Sequence, residues 1–281
     1  KEKLTLWDFH TGPEAEVVQE MVDEYNQSQD KVEIEYSSVN QTDYTTTLVT
    51  TAYANGECPD ILWVEPATFK KFSDAEMLAD LSSYYTDDLK KDILPSFLEA
   101  ASGDDGKIYT LPFECETLGL FYDADALEEE GIEPPKTWEE LKSAAEKLTT
   151  KDRYGIVLPV EKTAYTLFNW WPFMWMDDAD IYDADGNVTA GKDSMADALD
   201  FWGSFYQNEY CPSSLQNGPW SIDNVANGVA AMQIGGTYMI NAAEEYNKDG
   251  HNIGASVTEG KRSCNCCRRS DDGSFQPEQR C

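Results

Sequence analysis

The residues best equipped for chemistry in this 281-residue chain are aromatic rings beside carboxylates where strand-like segments end. Trp7 adjoins Asp8, Trp63 stands two residues before Glu65, and Phe113 adjoins Glu114. An aromatic face can stack on the apolar C–H face of a sugar ring, and a carboxylate can accept two hydroxyl hydrogen bonds at once. In open α/β sheets ligands collect beyond the carboxyl ends of strands, where these pairs fall. Trp170, Trp171, Trp175, Trp220 and Tyr238 enlarge the aromatic supply. Trp63, inside its expected strand, is the ring best suited to a core. The ligand-binding candidates are therefore Trp7, Asp8, Glu65, Glu114, Trp170, Trp171, Trp175, Trp220 and Tyr238. A helix turns neighbouring residues about 100° apart, so Trp170, Trp171 and Trp175 cannot all aim alike and at least one should be core.

Catalytic signals are sparse. His10 and His251 are the only histidines, and neither HExxH, GxSxG nor a glycine-rich phosphate loop occurs. Two carboxylates suffice for a glycosidase, and Glu114 with Glu116 is a pair of that kind. With 53 acidic residues, however, chance proximity is common, and ligand acceptors are the better reading. Cys264, Cys266, Cys267 and Cys281 lack zinc-site spacing. Asp183, Asp185 and Asn187 around Gly186 resemble a calcium-loop fragment, but its twelfth position is Ser194 rather than Glu, so a hairpin turn is expected. The sequence thus predicts a non-enzyme with no cofactor and no metal.

A formal charge of -32 argues against nucleic acid, whose phosphates demand Lys and Arg, and against an anionic membrane surface. It suits solubility, or an acidic site for cations. No apolar run reaches the roughly 18 residues of a membrane span. Seven unevenly spread cysteines give no disulfide framework, and the polar start at Lys1 reads as that of a processed chain.

Strand and helix signals alternate, as in α/β folds. Residues 3 to 9 read as a strand. Pro13 opens a helix with Val17, Val18, Met21, Val22 and Tyr25 as its apolar face. Val32, Ile34 and Tyr36 mark a second strand, residues 41 to 55 a helix, and Ile61 to Val64 a strand buried on both faces. Residues 107 to 122 read as two extended segments separating two α/β units. Thr137 and Glu140 form a capping box. A strand at 154 to 159, a helix at 162 to 176 and another at 192 to 209, with Met195, Leu199, Trp202 and Tyr206 on one face, follow. The last 24 residues differ in kind: one Arg precedes residue 258 and four follow it, with four of the seven cysteines. They read as loosely structured, a substituted end on a shortened chain.

Four segments in order, NGECPDILWVE, DGKIYTLPFE, FYDADALEEEGIEPPKTWEEL and NGVAAMQIGGTY, carry a family likeness. From Leu4 to about Val257 the chain resembles the family 1 extracellular solute-binding proteins of ABC importers, the maltose-binding-like sugar-binding group. The resemblance implies a two-lobed, periplasmic-binding-protein-like architecture of type II, with ligand held in an interlobe cleft. It implies a first α/β lobe over 1 to 111, a second over 112 to 250, and a second crossing with the atypical tail over 251 to 281. Members are longer, so the C-terminal part is expected to be incomplete. By the same likeness Trp7 and Glu65 match cleft positions, Glu114 falls at the first crossing, and Tyr238 is a sugar-stacking ring. The implied partners are a carbohydrate ligand, a permease and its ATPase. The implied location is periplasmic, or the cell surface as a lipoprotein. A polyamine or other cation receptor of the same architecture is the second reading, and a carbohydrate-active enzyme the third.

Overall fold

The computed structural model describes residues 1–39, 49–177, 179–183, 185–191 and 193–256. The chain divides into two compact units, Lys1–Cys115 and Glu116–Cys281.

In the first unit β1 (Glu2–Asp8) leads through Gly12 into α1 (Pro13–Ser28), whose Pro sits in the first turn, where a missing N–H leaves nothing unsatisfied. β2 (Val32–Ser38), α2 (Val49–Asn55), β3 (Ile61–Leu62), α3 (Pro66–Asp74), a 3-10 turn at Ser82–Tyr84, α4 (Asp87–Asp92) and α5 (Pro95–Ala100) complete it. The sheet order is β2-β1-β3, parallel throughout. β1 is therefore the central strand, and Asp8 stands at its carboxyl end.

Two expectations about this unit fail. On α1 only Val18 and Val22 are buried; Val17, Met21 and Tyr25 are exposed, because one row of side chains meets a sheet this narrow. The strand expected over Ile61 to Val64 is only two residues long, and as an edge strand it leaves Ile61 exposed instead of burying both faces. Residues 41 to 48 of the second expected helix lie outside the described residues, and the helix is present from Val49.

The second unit contains β4 (Leu118–Asp123), α6 (Ala124–Glu129), α7 (Trp138–Leu148), β5 (Tyr154–Val157), α8 (Ala164–Met176), α9 (Asp193–Gln207), α10 (Asp223–Ala226), β6 (Ala230–Gly236), α11 (Met239–Lys248) and β7 (Ile253–Ser256). Its mixed sheet runs β5-β6-β4-β7, with β5 parallel to β6 and β4 antiparallel to both its neighbours. Every residue of β6 is buried.

The segment expected to hold two extended stretches has one. Ser102 and Ile108 form an isolated bridge, and regular pairing resumes only at Leu118, since Pro112 cannot donate to a ladder.

Thr137 and Glu140 cap α7 reciprocally, as the sequence predicts, and the helix buries Trp138, Leu141, Ala144, Ala145 and Leu148. On α9 the buried row is Met195, Ala198, Trp202 and Phe205, whereas Leu199 faces outward. Both rows satisfy a 3.6-residue period, and small Ala198 permits the closer approach. The expected hairpin turn forms at Asp183, whose Oδ1 accepts from the amides of Asp185 and Asn187 at 3.0 and 2.9 Å. No helix among the described residues is long and apolar enough to cross a membrane. The tail from residue 257 lies outside the described residues.

Candidate functional site

Each unit gathers polar and aromatic side chains where its strands end. In the first unit, alternation along extended backbone sends Asp8 and His10 to the same side. Both are buried, at 2% and 6% exposure. His10 Nδ1 lies 2.9 Å from Asp8 Oδ2, and Nε2 lies 3.2 Å from Glu114 Oε2. The other Asp8 oxygen accepts from the Tyr36 hydroxyl at 2.7 Å and the His10 amide at 3.2 Å. The Ser38 hydroxyl donates to the His10 carbonyl at 2.5 Å. Phe9 stacks on the imidazole at 5.0 Å, and Trp63 stands edge-on to Phe9 and His10 at 4.5 and 6.0 Å.

The electrostatics follow from these contacts. The hydrogen bond to Glu114 raises His10 from 6.5 to about 9; burial opposes it and Asp8 assists. His10 is therefore an imidazolium at neutral pH, donating from both ring nitrogens. Burial, aided by Asp8, pushes Tyr36 well above its ordinary range and keeps it a donor. Glu65 begins α3 at the N-cap position without a capping hydrogen bond from its side chain, and burial lifts its carboxyl above the usual value.

The second unit's group is neutral at its centre. β6 delivers Thr237 and Tyr238 to the start of α11. The Thr237 hydroxyl and the Tyr238 amide donate to Glu116 Oε2 at 2.8 and 3.3 Å. The Tyr238 and Tyr165 hydroxyls are 2.7 Å apart, and Tyr165 also donates to the Pro219 carbonyl at 3.3 Å. Burial, with Tyr238 adding to it, holds the Tyr165 phenol far above its ordinary 10. Trp220 stands edge-on to Tyr165 at 6.0 Å and is 58% exposed.

Buried amides hold the loop that carries Trp220. Gln233, a lone polar side chain within β6, donates to the Pro219 carbonyl at 2.6 Å. Asn224 donates to the Gly218 and Ser221 carbonyls at 3.1 and 2.9 Å. Two glycines permit the close approaches: a Cβ at Gly218 would overlap the Trp220 ring, and one at Gly236 would overlap the Tyr238 ring and lie 2.9 Å from Glu116 Oε2.

Of the sequence candidates, Asp8 and Glu114 join through His10, and Trp220 and Tyr238 join through Tyr165. Trp7 lies within β1 and packs against buried Val49 and Phe72. Trp170 is buried in the second unit's core. Trp171 packs against that core, half-buried, 6.0 Å from exposed Trp175. Trp63, expected inside its strand, stands just beyond it and half-buried. His10, Tyr36, Tyr165 and Thr237 were absent from the sequence-derived set. The spacing Asp8-x-His10 at a strand end, and a Gln inside an otherwise apolar strand, are the signals that could have pointed to these networks.

Residues 20–276 match the model of the bacterial extracellular solute-binding protein family. The chain belongs to this family. The match runs into the tail for which the family likeness read from the sequence offers no counterpart. YcjN of Escherichia coli (strain K12), named for an ABC transporter periplasmic-binding role, is 24% identical over 94% of this chain, which spans 62% of YcjN's length. The maltotriose-binding protein of Pyrococcus abyssi is 31% identical over 56% of this chain and 34% of its own. In fold, the GacH receptor of Streptomyces glaucescens, solved unliganded and with acarbose, superposes with a TM-score of 0.80 at 24% identity, over 94% of this chain and 68% of GacH. The fold is thus the mixed α/β fold of maltose-binding-like proteins. The family is one of solute-binding proteins, and its name sets it outside the cell.

Proposed function

We propose that this chain captures a carbohydrate for an ATP-driven importer and catalyses no reaction itself. The observation that carries this reading is the neutral aromatic group of the second unit: Trp220 presents an exposed ring, Tyr165 and Tyr238 present linked hydroxyls, and Glu116 lies beside them. Rings supply faces for sugar C–H groups, and hydroxyls and carboxylate supply the orienting hydrogen bonds. The ligands named for relatives agree in class, being maltotriose for the Pyrococcus protein and acarbose for GacH. The partners are then a membrane permease and its ATPase, and the location is the periplasm or, through a lipid anchor, the cell surface.

A thermal-shift panel tests the class. Any ligand that binds only the native state raises the melting temperature, by an amount that grows with ligand concentration over Kd. Maltotriose and longer oligosaccharides should raise it, and spermidine should not. A shift with spermidine alone would assign the site to cations, and release of smaller sugars from the oligosaccharides would reinstate an enzyme.

A further inference from the structure

We infer that His10 is the positioning residue for Glu114: anchored on buried Asp8, it fixes one oxygen of the Glu114 carboxylate and leaves the other to accept from a ligand hydroxyl. The inference rests on the carbohydrate reading for its ligand, but its first half stands on geometry alone.

Glu114 lies in a stretch without regular structure, between the Ser102–Ile108 bridge and β4, so no ladder holds it. Among the described residues its carboxylate bonds only to His10, and its side chain is 35% exposed, open to a ligand. His10 by contrast cannot move freely. Asp8 grips Nδ1, Ser38 grips its carbonyl, Phe9 covers one ring face and Trp63 stands against its edge. Asp8 is itself fixed by Tyr36 on β2. The groups facing the imidazole are thus Asp8 and Phe9 from β1 and its end, Trp63 from beyond β3, and Glu114. The two charged ones are both carboxylates, and each takes one N–H.

This arrangement does two things for binding. A carboxylate held by a charge-assisted hydrogen bond keeps one orientation, which lowers the ordering needed when a hydroxyl arrives. It also gives the carboxylate pair a built-in counter-cation, so a basic ligand finds less uncompensated charge there. Loss of the imidazolium proton at alkaline pH removes one of the two N–H donors, and the clamp with it.

With only two histidines, ¹⁵N-labelled imidazole spectra of the full chain assign His10 by comparison with His251→Gln. Both His10 ring nitrogens should be protonated at neutral pH, and the ring should titrate near 9. Glu114→Gln should lower that value by about one pH unit or more. A His10 that titrates near 6.5 and ignores Glu114→Gln overturns the clamp. For the ligand half, His10→Ala should weaken maltotriose binding about tenfold, and His10→Gln, which retains an N–H donor, should recover part of the loss. Wild-type affinity should fall between pH 7 and 10 more steeply than that of His10→Gln, a readout that survives if His10→Ala does not fold. Equal affinities and equal pH profiles overturn the positioning role. If the wild-type chain binds no maltotriose, the carbohydrate reading and the hydroxyl half fail together, while the imidazole titration still decides the clamp.

Discussion

The two units carry groups of opposite character at their strand ends. The first is ionic: Asp8, His10 and Glu114, with the Tyr36 hydroxyl closing the network. The second is neutral at its centre: two phenols joined by a hydrogen bond beside an exposed indole, with Glu116 accepting from Thr237 and Tyr238. Their supports differ as well. The ionic group is seated among small apolar clusters, of which one is centred on Val49 and Phe72, whereas the neutral group belongs to a unit with an extensive core running from Leu120 through Trp138 to Ile234. The difference teaches that a charge of -32 says little about a site. The first group holds its own cation, and the second keeps its carboxylate at the periphery.

This contrast can be broken or sharpened by substitution. Asp8→Ala should be the most damaging, because it leaves a buried imidazole and the Tyr36 hydroxyl without their shared partner; a loss of about 3–5 kcal/mol in urea unfolding is expected. A loss below about 1 kcal/mol would mean that the ionic group is not structural. Next comes pH. The folded imidazole titrates above the unfolded one, so its stabilisation is complete below about 6.5 and drains away as pH rises through about 9. Wild-type unfolding free energies from urea titration should therefore fall between pH 7 and 9.5, by on the order of 2 kcal/mol, and those of Glu114→Gln should fall less. Parallel curves would dissociate the two groups. Tyr165→Phe in the neutral group should cost about 0.5–1.5 kcal/mol, the usual net value of one buried hydrogen bond. The same loss appearing in Glu114→Gln would erase the contrast. Trp220→Ala, at an exposed ring, should change stability by no more than about 0.5 kcal/mol, as judged by the same unfolding curves.

What the sequence discloses and what it hides separate along physical lines. The Thr137–Glu140 cap is legible because every partner lies within four residues. The alternation of strands and helices in the first unit is legible for the same reason. Helix phase is harder: Leu199 and Ala198 sit on adjacent rows of α9, and only the packed neighbour selects between them. The β3 expectation fails because strand position within a sheet is a matter of topology, and an apolar run cannot say that it lies at an edge. The functional networks hide most. His10 meets Glu114 across 104 residues and Tyr165 meets Tyr238 across 73, separations over which residue types alone imply nothing. Candidates chosen by type accordingly include Trp170, a ring that the fold buries in its core, and Trp7, which packs half-buried against Val49 and Phe72.

Calorimetric titration of maltotriose into the wild-type chain, Tyr238→Ala and Trp220→Ala, with circular dichroism as the folding control, tests the carbohydrate site most directly. The expected result is saturable binding by the wild type and about a tenfold weaker Kd, roughly 1.4 kcal/mol, in each folded variant. Unchanged affinity in both variants, or no binding by the wild type, would contradict the site.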